Sequence, residues 1–535
     1  MSKLKLKMWT CNSKKMEIKV KDKVIKLKEE RELLGRFLII MDSRPNLVPQ
    51  LSDTIGNYEM SVVPRSLCEV DGSLQIPKDK SSLMHAVLKY PESSITEPAL
   101  PAIHTSKTLI IDAMEELQSI TKTPKMKKIS DLQEIFIKRV EKKANEGHFE
   151  KLVVIFDQYR EQSLKNKTRS KRAQSASVYS VHEEMSLTMS IKELLSASET
   201  KKKLTILIGQ ATKKHFMDKN IKAIVIYDNQ ILRESDSIEL HGHEEADTLI
   251  PHQVLEAHYS GSKEISVSSP DTDVLILLLD VVATGKIGNE TRLTFVTGKG
   301  CHRKKIDVNE RVQAIGMEKC AGLIGFHNFT GADWGGKFVG ISKKTWCNLY
   351  FGLPADSPIL NVFKQLGEIE IPEQLIEGNL PHSIAALELF VCQAYSKNGP
   401  NNIPGLRWEM FRTKNLEGEM LPPTRASLLP HILRSNYISS KDKSYKETRP
   451  TLPPKERNGW NYKDGEYSPV MCLELPAPQA IIELIKCGCK TCETKGCGCK
   501  KNGLPCTPLC KCNSNLCMNQ IMRSSNDSED EDDQE

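Results

Sequence analysis

KLVVIFD at residues 151–157 is an unbroken apolar run that ends in an aspartate, and several similar runs lie between residues 105 and 350. Short apolar runs rich in β-branched residues are typical of strands that are buried on both faces. The other runs are TLIID (108–112), LTILIG (204–209), AIVIYD (223–228), EISVSS (264–269) and LTFVTG (293–298). Because amphipathic stretches separate them, the pattern predicts an α/β fold with a largely parallel sheet and flanking helices.

Helical periodicity between the runs predicts three helices, at DLQEIFIKRVEKKANEG (131–147), HEEMSLTMSIKELLSASE (182–199) and ADTLIPHQVLEAHYSG (246–261). Residues 1–100 form an accessory region that begins with a predicted hairpin, MEIKVKDKVIKLK (16–28), followed by a helix at ERELLGRFLIIM (30–41). The α/β domain is expected at 105–350, and a mixed helical and proline-rich linker region at 351–485. A cysteine-rich module at 486–520 and a disordered acidic tail at 521–535 complete the division.

Acidic side chains follow several of the predicted strands. Asp112 ends TLIID, Asp157 ends KLVVIFD, and a third group, HEEADT, opens a predicted helix. The full set is Asp112, Asp157, Glu245, Asp247, Asp271, Asp273 and Asp333. Each acid alone is explained as a helix cap or a turn former. Gathered at one sheet edge they would repel each other, so the set indicates divalent cations, with Mg²⁺ or Mn²⁺ favoured by oxygen ligands.

The order and wording of these acidic groups resemble the flap-endonuclease family, which are structure-specific nucleases with a PIN-like fold. The resemblance covers residues 105–345 and includes FDQY, EAD, DTD and TGADWGGKFVGIS. It implies that all seven acids hold two metal ions for phosphodiester hydrolysis. It also implies that the basic segment REQSLKNKTRSKRAQ (160–174) contacts substrate, through Lys165, Lys171 and Arg172, with Arg169 as a further candidate. A solvated helix face is the alternative for that segment.

Other chemistries find less support in the sequence. His241, His243 and His252 crowd the EAD motif without the spacing of a zinc site, so surface or second-sphere roles are expected. The chain has no G-x-S-x-G, Walker or dinucleotide-binding glycine motif. These absences argue against a serine hydrolase, a nucleotide triphosphatase or a dinucleotide-dependent enzyme.

Nine of the sixteen cysteines lie close together near the C-terminus. They are Cys487, Cys489, Cys492, Cys497, Cys499, Cys506, Cys510, Cys512 and Cys517. Such a segment is too poor in apolar residues to bury a core. A disulfide framework would need an oxidising compartment, but the lysine-rich N-terminus lacks the apolar run of a signal peptide. Nine thiolates satisfy three tetrahedral zinc ions when three of them bridge, so zinc is the favoured explanation.

The cysteine spacing resembles the tesmin-type CXC domain, a DNA-binding module with three zinc ions, over the segment up to Asn519. In that family a tyrosine before the second Cys-x-Cys pair enters the minor groove, whereas Gly496 stands here. The interleaved lysines can neutralise phosphates without reading bases, or serve only solubility. The pairing of an α/β nuclease-like block with this module is similar to that of multicopy animal proteins with a suggested mobile-element origin.

Charge and hydropathy limit the partners. The chain carries a formal charge of +6, and its acidic tail DSEDEDDQE (527–535) makes the rest more basic still, which suits a nucleic-acid partner. No apolar stretch is long enough for a membrane span. We therefore expect a nuclear, metal-dependent nuclease that is held on DNA by its zinc module. The alternatives are an inactive DNA-binding or chromatin protein that uses the nuclease fold as a scaffold, and a metallothionein-like metal buffer.

Overall fold

The structure is a computed structural model of the 535-residue chain. It describes residues 16–20, 23–27, 31–77, 81–90, 106–158, 177–217, 219, 221–233, 238–243, 245–298, 302–332, 335–376, 378–414, 420–494, 496–512 and 517–519. The chain divides into two compact units. Unit 1 contains Met1–Ser73, Val391–Leu429 and Met471–Glu535, and unit 2 contains Leu74–Phe390 and Pro430–Val470.

The described strands number twelve and form three sheets. They are β1 Met16–Val20, β2 Lys23–Leu27, β3 Lys107–Asp112, β4 Lys151–Ile155, β5 Lys222–Tyr227, β6 Gln230–Leu232, β7 Ile238–Leu240, β8 Glu264–Ser268, β9 Arg292–Thr297, β10 Lys304–Asp307, β11 Trp460–Lys463 and β12 Glu466–Pro469. The largest sheet has eight strands in the order β10-β9-β8-β3-β4-β5-β6-β7. The other two sheets are the hairpins β1-β2 and β11-β12.

The described α-helices fall between and after these strands. They are α1 Arg31–Ser43, α2 Leu51–Asn57, α3 Ser81–Leu88, α4 Ala113–Gln118, α5 Ile129–Glu146, α6 Ile191–Leu194, α7 Ser198–Met217, α8 Ala246–Tyr259, α9 Thr272–Ala283, α10 Val308–Ile315, α11 Met317–Ala321, α12 Leu323–Gly331, α13 Lys343–Gly352, α14 Pro358–Gln365, α15 His382–Tyr395, α16 Ile403–Lys414, α17 Arg425–Lys443, α18 Gln479–Ile482 and α19 Gly498–Lys501. Among the described helices, none combines the length and apolar composition that a bilayer crossing requires.

The centre of the large sheet is parallel, which confirms the fold class expected from the sequence. Strands β9, β8, β3, β4 and β5 pair in parallel, while β10, β6 and β7 add antiparallel edges. The apolar runs of β3 and β4 are buried along nearly their whole length because helices cover both faces of the sheet.

The strand order reverses beside β3. The chain proceeds from β3 to β4 and β5 on one side, and later returns to β8 and β9 on the other side. In open α/β sheets, such a switch point leaves a crevice at the carboxyl ends of the strands, where ligands bind. A ligand site is therefore expected at the carboxyl ends of β3, β4 and β8.

One predicted strand was wrong. LTILIG (204–209) lies inside helix α7, where Leu204, Ile208, Thr212 and Phe216 are buried at intervals of four residues. The helical period decides the structure because it gives α7 one continuous buried face against the core that it shares with α5. β-Branched residues in a short run do not distinguish a strand from a buried helix segment.

The helix predicted at 182–199 was only partly right, since helical structure is limited to α6 and the start of α7. Residues 182–187 instead hydrogen-bond with the segment that leads into α5. The Ile129 amide donates to the Met185 carbonyl at 3.0 Å, and the Leu187 amide donates to the Lys127 carbonyl at 2.7 Å. These backbone groups are committed to an extended pairing and are unavailable for a helix. The helices predicted at 131–147 and 246–261 were confirmed as α5 and α8.

Unit 1 is assembled from segments that are far apart in sequence. Leu33, Phe37 and Ile40 of α1 pack against Ala477 and the two buried isoleucines of α18. A second contact joins Arg407 of α16 to the carbonyls of Ile55 and Tyr58, at 2.9 and 3.0 Å. The hairpin and the helix expected near the N-terminus were both confirmed, as β1-β2 and α1.

Candidate functional site

Asp112 stands at the carboxyl end of the central strand β3 and caps helix α4. Its Oδ1 accepts hydrogen bonds from the amides of Met114 and Glu115, at 3.0 and 3.2 Å. Its Oδ2 accepts a hydrogen bond of 3.1 Å from the hydroxyl of Ser269, which follows β8. Asp112 is thus both the last residue of β3 and the N-cap of α4, so both elements fix the position of its carboxylate.

Burial, and in addition the nearby carboxylate of Asp157, raise the pKa of Asp112 from its ordinary value of 3.8 to about 7. Hydrogen bonds from Glu115 and Ser269 act in the opposite direction. A carboxyl group whose ionisation is opposed by burial and by a like charge gains most from a cation. The electrostatics at this strand end therefore favour cation binding.

Asp157 follows β4 and contacts the start of helix α8. Its Oδ1 accepts a hydrogen bond of 3.2 Å from the amide of Ala246. Glu245 and Asp247 flank that alanine in sequence, so this bond places the EAD motif beside the end of β4. The unsatisfied amides at a helix start suit carboxylates.

Three carboxylates form the closest acidic group. Oxygen atoms of Asp247, Asp271 and Asp273 all lie within 4.8 Å of one another. Asp271 caps α9 by accepting a 3.0 Å hydrogen bond from the Asp273 amide, and its own amide donates to the Ser269 hydroxyl at 3.2 Å. Ser269 therefore contacts both the Asp112 carboxylate and the DTD turn (271–273), and it connects these two acidic groups.

His327 of helix α12 supports this group from the other side. Its Nε2 lies 2.9 Å from Oδ1 of Asp273, and its side chain is only 4% exposed. An imidazole in this position fixes the orientation of the Asp273 carboxylate.

Glu245 is paired with a lysine that comes from a distant part of the chain. Nζ of Lys441, near the end of α17, lies 2.8 Å from Oε2 of Glu245 and 3.5 Å from Oδ1 of Asp442. Burial opposes the charge of the ammonium, but the carboxylates of Glu245 and Asp442 outweigh it and raise the lysine pKa. Burial raises the pKa of Asp442, while Lys441 and a 2.8 Å hydrogen bond from the Asn328 amide group act to lower it.

A small cavity opens at this edge, with a volume of about 20 Å³. Its polar lining includes Glu245, Asp247, Asp273, His327 and Lys441, and its apolar lining comes mainly from α9, α12 and α17. Such a volume holds one water molecule or one ion, so a larger ligand has to approach from outside.

The three-carboxylate group fits a hard divalent ion, because its donors are oxygen atoms at mutual distances that one ion can span. The structure brings six of the seven predicted acids to one edge of the sheet, which is called the acidic edge below. They are Asp112, Asp157, Glu245, Asp247, Asp271 and Asp273. The seventh, Asp333, lies outside the described residues, as do Lys165, Lys171, Arg172 and Arg169 of the basic segment.

The three histidines near the EAD motif are buried, which excludes the surface alternative and leaves the second-sphere alternative as a prediction. His243 lies with Nε2 2.7 Å from the carbonyl of Glu447, and His252 lies with Nδ1 2.9 Å from the carbonyl of Tyr445. Both rings therefore hold the segment that follows α17. His241 lies beside His243, with ring centroids 6.1 Å apart and the rings tilted by 32°.

Sequence reasoning missed the residues that support the acids. Ser269 lay in the quoted motif EISVSS, and His327 and Asn328 lay in GFHNFTG, so a search for polar residues beside the acids would have found them. Lys441 and Asp442 had no such signal, because they lie almost 200 residues from Glu245 in sequence.

The nine cysteines converge in unit 1, and every one of them belongs to at least one group of four sulfur atoms that lie within 4.8 Å of one another. Sulfur atoms of Cys487 and Cys506 lie 3.7 Å apart, and those of Cys499 and Cys510 lie 3.6 Å apart. A tetrahedral zinc site with Zn–S bonds of 2.3 Å places its sulfur atoms about 3.8 Å apart. The spacing fits zinc and is far too long for disulfides, in which the sulfurs are about 2.05 Å apart.

Within this group of nine cysteines, the cysteine cage, backbone hydrogen bonds favour the thiolate at Cys497, Cys510 and Cys517, whereas burial raises the pKa of Cys489, Cys492, Cys499, Cys506 and Cys512. The Lys500 amide donates to Sγ of Cys497 at 3.5 Å, at the start of α19. Burial opposes the thiolate of Cys497, but backbone amides, with that of Lys500 first, lower its pKa to about 6. A thiol that ionises below neutral pH is a better zinc ligand.

Arg44, which follows α1, reaches into the cysteine cage and is another residue that sequence reasoning missed. Its guanidinium donates to Sγ of Cys499 at 3.3 Å, to the Ile485 carbonyl at 3.1 Å and to the Pro505 carbonyl at 2.8 Å. The side chain is buried. The accessory N-terminal region therefore supplies a positive charge to the cysteine sulfur atoms.

Comparison with known proteins gives structural similarity only. No protein-family model matches the chain. No curated protein matches its sequence either. Among solved structures, the chain is similar to a flap endonuclease of bacteriophage T5 in a pseudo-enzyme–product complex with DNA and metal ions, at 11% identity and a TM-score of 0.29, over 52% of this chain and 83% of that one.

Two further solved structures come from the same phage. A mutant 5′-exonuclease has 9% identity and a TM-score of 0.27, over 64% of this chain and all of that one. The T5 D15 protein co-crystallised with metal ions has 10% identity and a TM-score of 0.29, over 64% and 97%. At these values, the roles of individual residues have to follow from the contacts of this chain itself.

Proposed function

We propose that the protein is a metal-dependent, nuclease-like enzyme that hydrolyses nucleic-acid phosphodiesters, and that its cysteine-rich module holds it on DNA. The observation that carries the proposal is the group of Asp247, Asp271 and Asp273 at the carboxyl edge of a parallel sheet, with carboxylate oxygens within 4.8 Å of one another. Mg²⁺ or Mn²⁺ is the expected metal, because all the donors of this group are oxygen atoms.

A divalent ion at such a site stabilises the charge of the phosphodiester and provides an activated water. The chain's own residues prepare the site for that chemistry. Asp112 and Asp157 fix the ends of β3 and β4, and Ser269 holds Asp112 against the DTD turn. His327 orients Asp273.

The cysteine-rich module is proposed to bring three zinc ions and a basic surface. Lys486, Lys490, Lys500, Lys501 and Lys511 are exposed around the buried sulfur atoms. Ammonium groups of this kind bind phosphates without selecting a base sequence. A module of this type raises the local concentration of DNA for a catalytic site on the same chain.

The second candidate is a catalytically inactive DNA-binding or chromatin protein that keeps the nuclease fold as a scaffold. One observation favours it, because Glu245 is already paired with the ammonium of Lys441. The first candidate is favoured by the three remaining carboxylates, since a scaffold gains nothing from their mutual repulsion.

A cleavage assay separates the two candidates. Wild-type protein and Asp271→Asn/Asp273→Asn are compared on flap, nicked and single-stranded DNA and on RNA, with Mg²⁺ or Mn²⁺. Asparagine retains the cap of α9, so the variant should remain folded. Asp307→Asn is the matched control, because Asp307 caps α10 through the Glu310 amide without belonging to the acidic edge. Activity in wild type and control but not in the double variant supports the enzyme, whereas equal products from all three proteins, or none, contradict it.

A further inference from the structure

Lys441 occupies a position in the acidic edge where a cation is needed. Its Nζ lies 2.8 Å from Oε2 of Glu245, and the side chains of Lys441 and Glu245 are only 10% and 7% exposed. An ionised carboxylate at that depth requires a partner, because removing a charge from water costs several kcal/mol. The lysine supplies the partner from within the chain.

The ammonium is held in place by contacts of the residues that follow Lys441 along the chain. Asp442, the next residue, accepts a 2.8 Å hydrogen bond from the side-chain amide of Asn328. Beyond the helix, the Tyr445 hydroxyl donates to the buried carboxylate of Asp280 at 2.7 Å. His252 and His243 hydrogen-bond to the carbonyls of Tyr445 and Glu447, respectively. The end of α17 is therefore anchored to the sheet domain, and Lys441 is fixed beside Glu245.

Glu245 also differs from the other acids in its grouping. Among the described residues, Asp247, Asp271 and Asp273 form a three-carboxylate group, and Glu245 does not belong to it. The acidic edge thus has one part whose charge is balanced by a lysine and another part whose three oxygens suit a metal ion.

We propose that Lys441 takes the place of a second divalent ion at Glu245, so that the acidic edge binds one Mg²⁺ or Mn²⁺, at Asp247, Asp271 and Asp273. This inference rests on the proposed function, since it assumes that these acids hold metal at all. Lys441 is a positioning residue in this scheme: it fixes Glu245 and sets the number of ions. Removing its charge should create a second metal site.

Counting bound Mn²⁺ by electron paramagnetic resonance tests the proposal without depending on activity. The full chain is used with its cysteine sites loaded with zinc, because thiolates prefer zinc to Mn²⁺. Wild type should bind one Mn²⁺, and Lys441→Met should bind two. Lys443→Met is the matched control, because Lys443 is a buried lysine of the same helix end that contacts Glu368 at 3.7 Å instead of the acidic edge. It should bind one.

Lys441→Met leaves Glu245 buried without its partner, so this variant could lose its fold, and a second variant is needed. Glu245→Gln/Lys441→Met removes both charges, so it should fold and bind one Mn²⁺. Two ions in wild type, or one ion in a folded Lys441→Met, would overturn the inference while the proposed function stands. If wild type and variants bind no Mn²⁺, both the inference and the metal-dependent function are refuted.

Discussion

Replacing Asp112 by asparagine should stabilise the protein at neutral and alkaline pH when no Mg²⁺ or Mn²⁺ is present. Burial, with the Asp157 carboxylate in addition, raises the pKa of Asp112 from 3.8 to about 7. A raised pKa means that the folded state holds the proton more tightly than the unfolded state. The contribution of Asp112 to the free energy of unfolding is therefore greatest at low pH, and it is lost as the pH rises from about 4 to about 7. Asparagine carries no charge and avoids this loss.

The magnitude follows from the two pKa values. At 1.36 kcal/mol per pKa unit, the raised pKa of Asp112 lowers the free energy of unfolding by about 4 kcal/mol at pH 8, by about 2 kcal/mol at pH 5 and by almost nothing below pH 4. The variant keeps Oδ1 as the acceptor for the Met114 and Glu115 amides, and the Ser269 hydroxyl can accept from the new amide group. For a unit of about 360 residues, a gain of 4 kcal/mol raises the unfolding midpoint by about 5 °C.

Thermal unfolding of wild type and Asp112→Asn at pH 5 and pH 8 provides the measurement. The difference between the two proteins at each pH is the quantity of interest, because acid effects on the cysteine cage cancel in it. Asp131→Asn is the control. Backbone amides of Lys128 and Lys127 lower the pKa of this partly exposed aspartate at the start of α5, so its replacement should bring no stabilisation.

Added Mg²⁺ extends the test. Wild type should gain stability because its carboxylates bind the ion, and Asp112→Asn should gain less. The reasoning is refuted if the variant is no more stable than wild type at pH 8 without metal, or if its advantage is the same at pH 5 as at pH 8.

Three further outcomes are expected. Arg44→Met should release zinc faster to a colorimetric chelator than wild type does, because the cage loses a buried positive charge and three hydrogen bonds; equal rates would contradict that role. Lys500→Gln/Lys501→Gln should reduce the slope of log affinity for duplex DNA against log salt by about 1.8, if both lysines neutralise phosphates; an unchanged slope assigns them to solubility. Arg407→Met should lower the free energy of unfolding by about 3–5 kcal/mol in a denaturant titration, because it leaves the buried carboxylate of Glu59 without the guanidinium 3.7 Å away; a loss below 1 kcal/mol would show that the pair is dispensable.

The sequence predicted what is encoded locally. Apolar runs ending in Asp112 and Asp157 identified two central strands and two acids at their ends, because burial on both faces leaves a continuous apolar pattern. The strand predicted at LTILIG was wrong because these six residues are compatible with both a strand and a buried helix face. Only the flanking turns of α7 distinguish the two structures.

Residues that act through long-range contacts could not be predicted in this way. Lys441 contacts Glu245 across 196 positions, and Arg44 contacts Cys499 across 455 positions. No local periodicity records either pairing. Each is a buried cation, and its partner is known only once tertiary structure brings the charges together.

The three hydrogen bonds of Arg44 also determine how late during synthesis unit 1 can complete its folding. The carbonyl of Ile485 lies 441 positions after Arg44. At 5–20 residues per second, the ribosome needs roughly 20–90 s to cover that distance. During this interval the apolar face of α1, with Leu33 and Phe37, has been synthesised but its partners on α18 have not. Unit 1 can therefore close only after most of the chain has emerged, and a nascent chain has to keep this helix from aggregating until then.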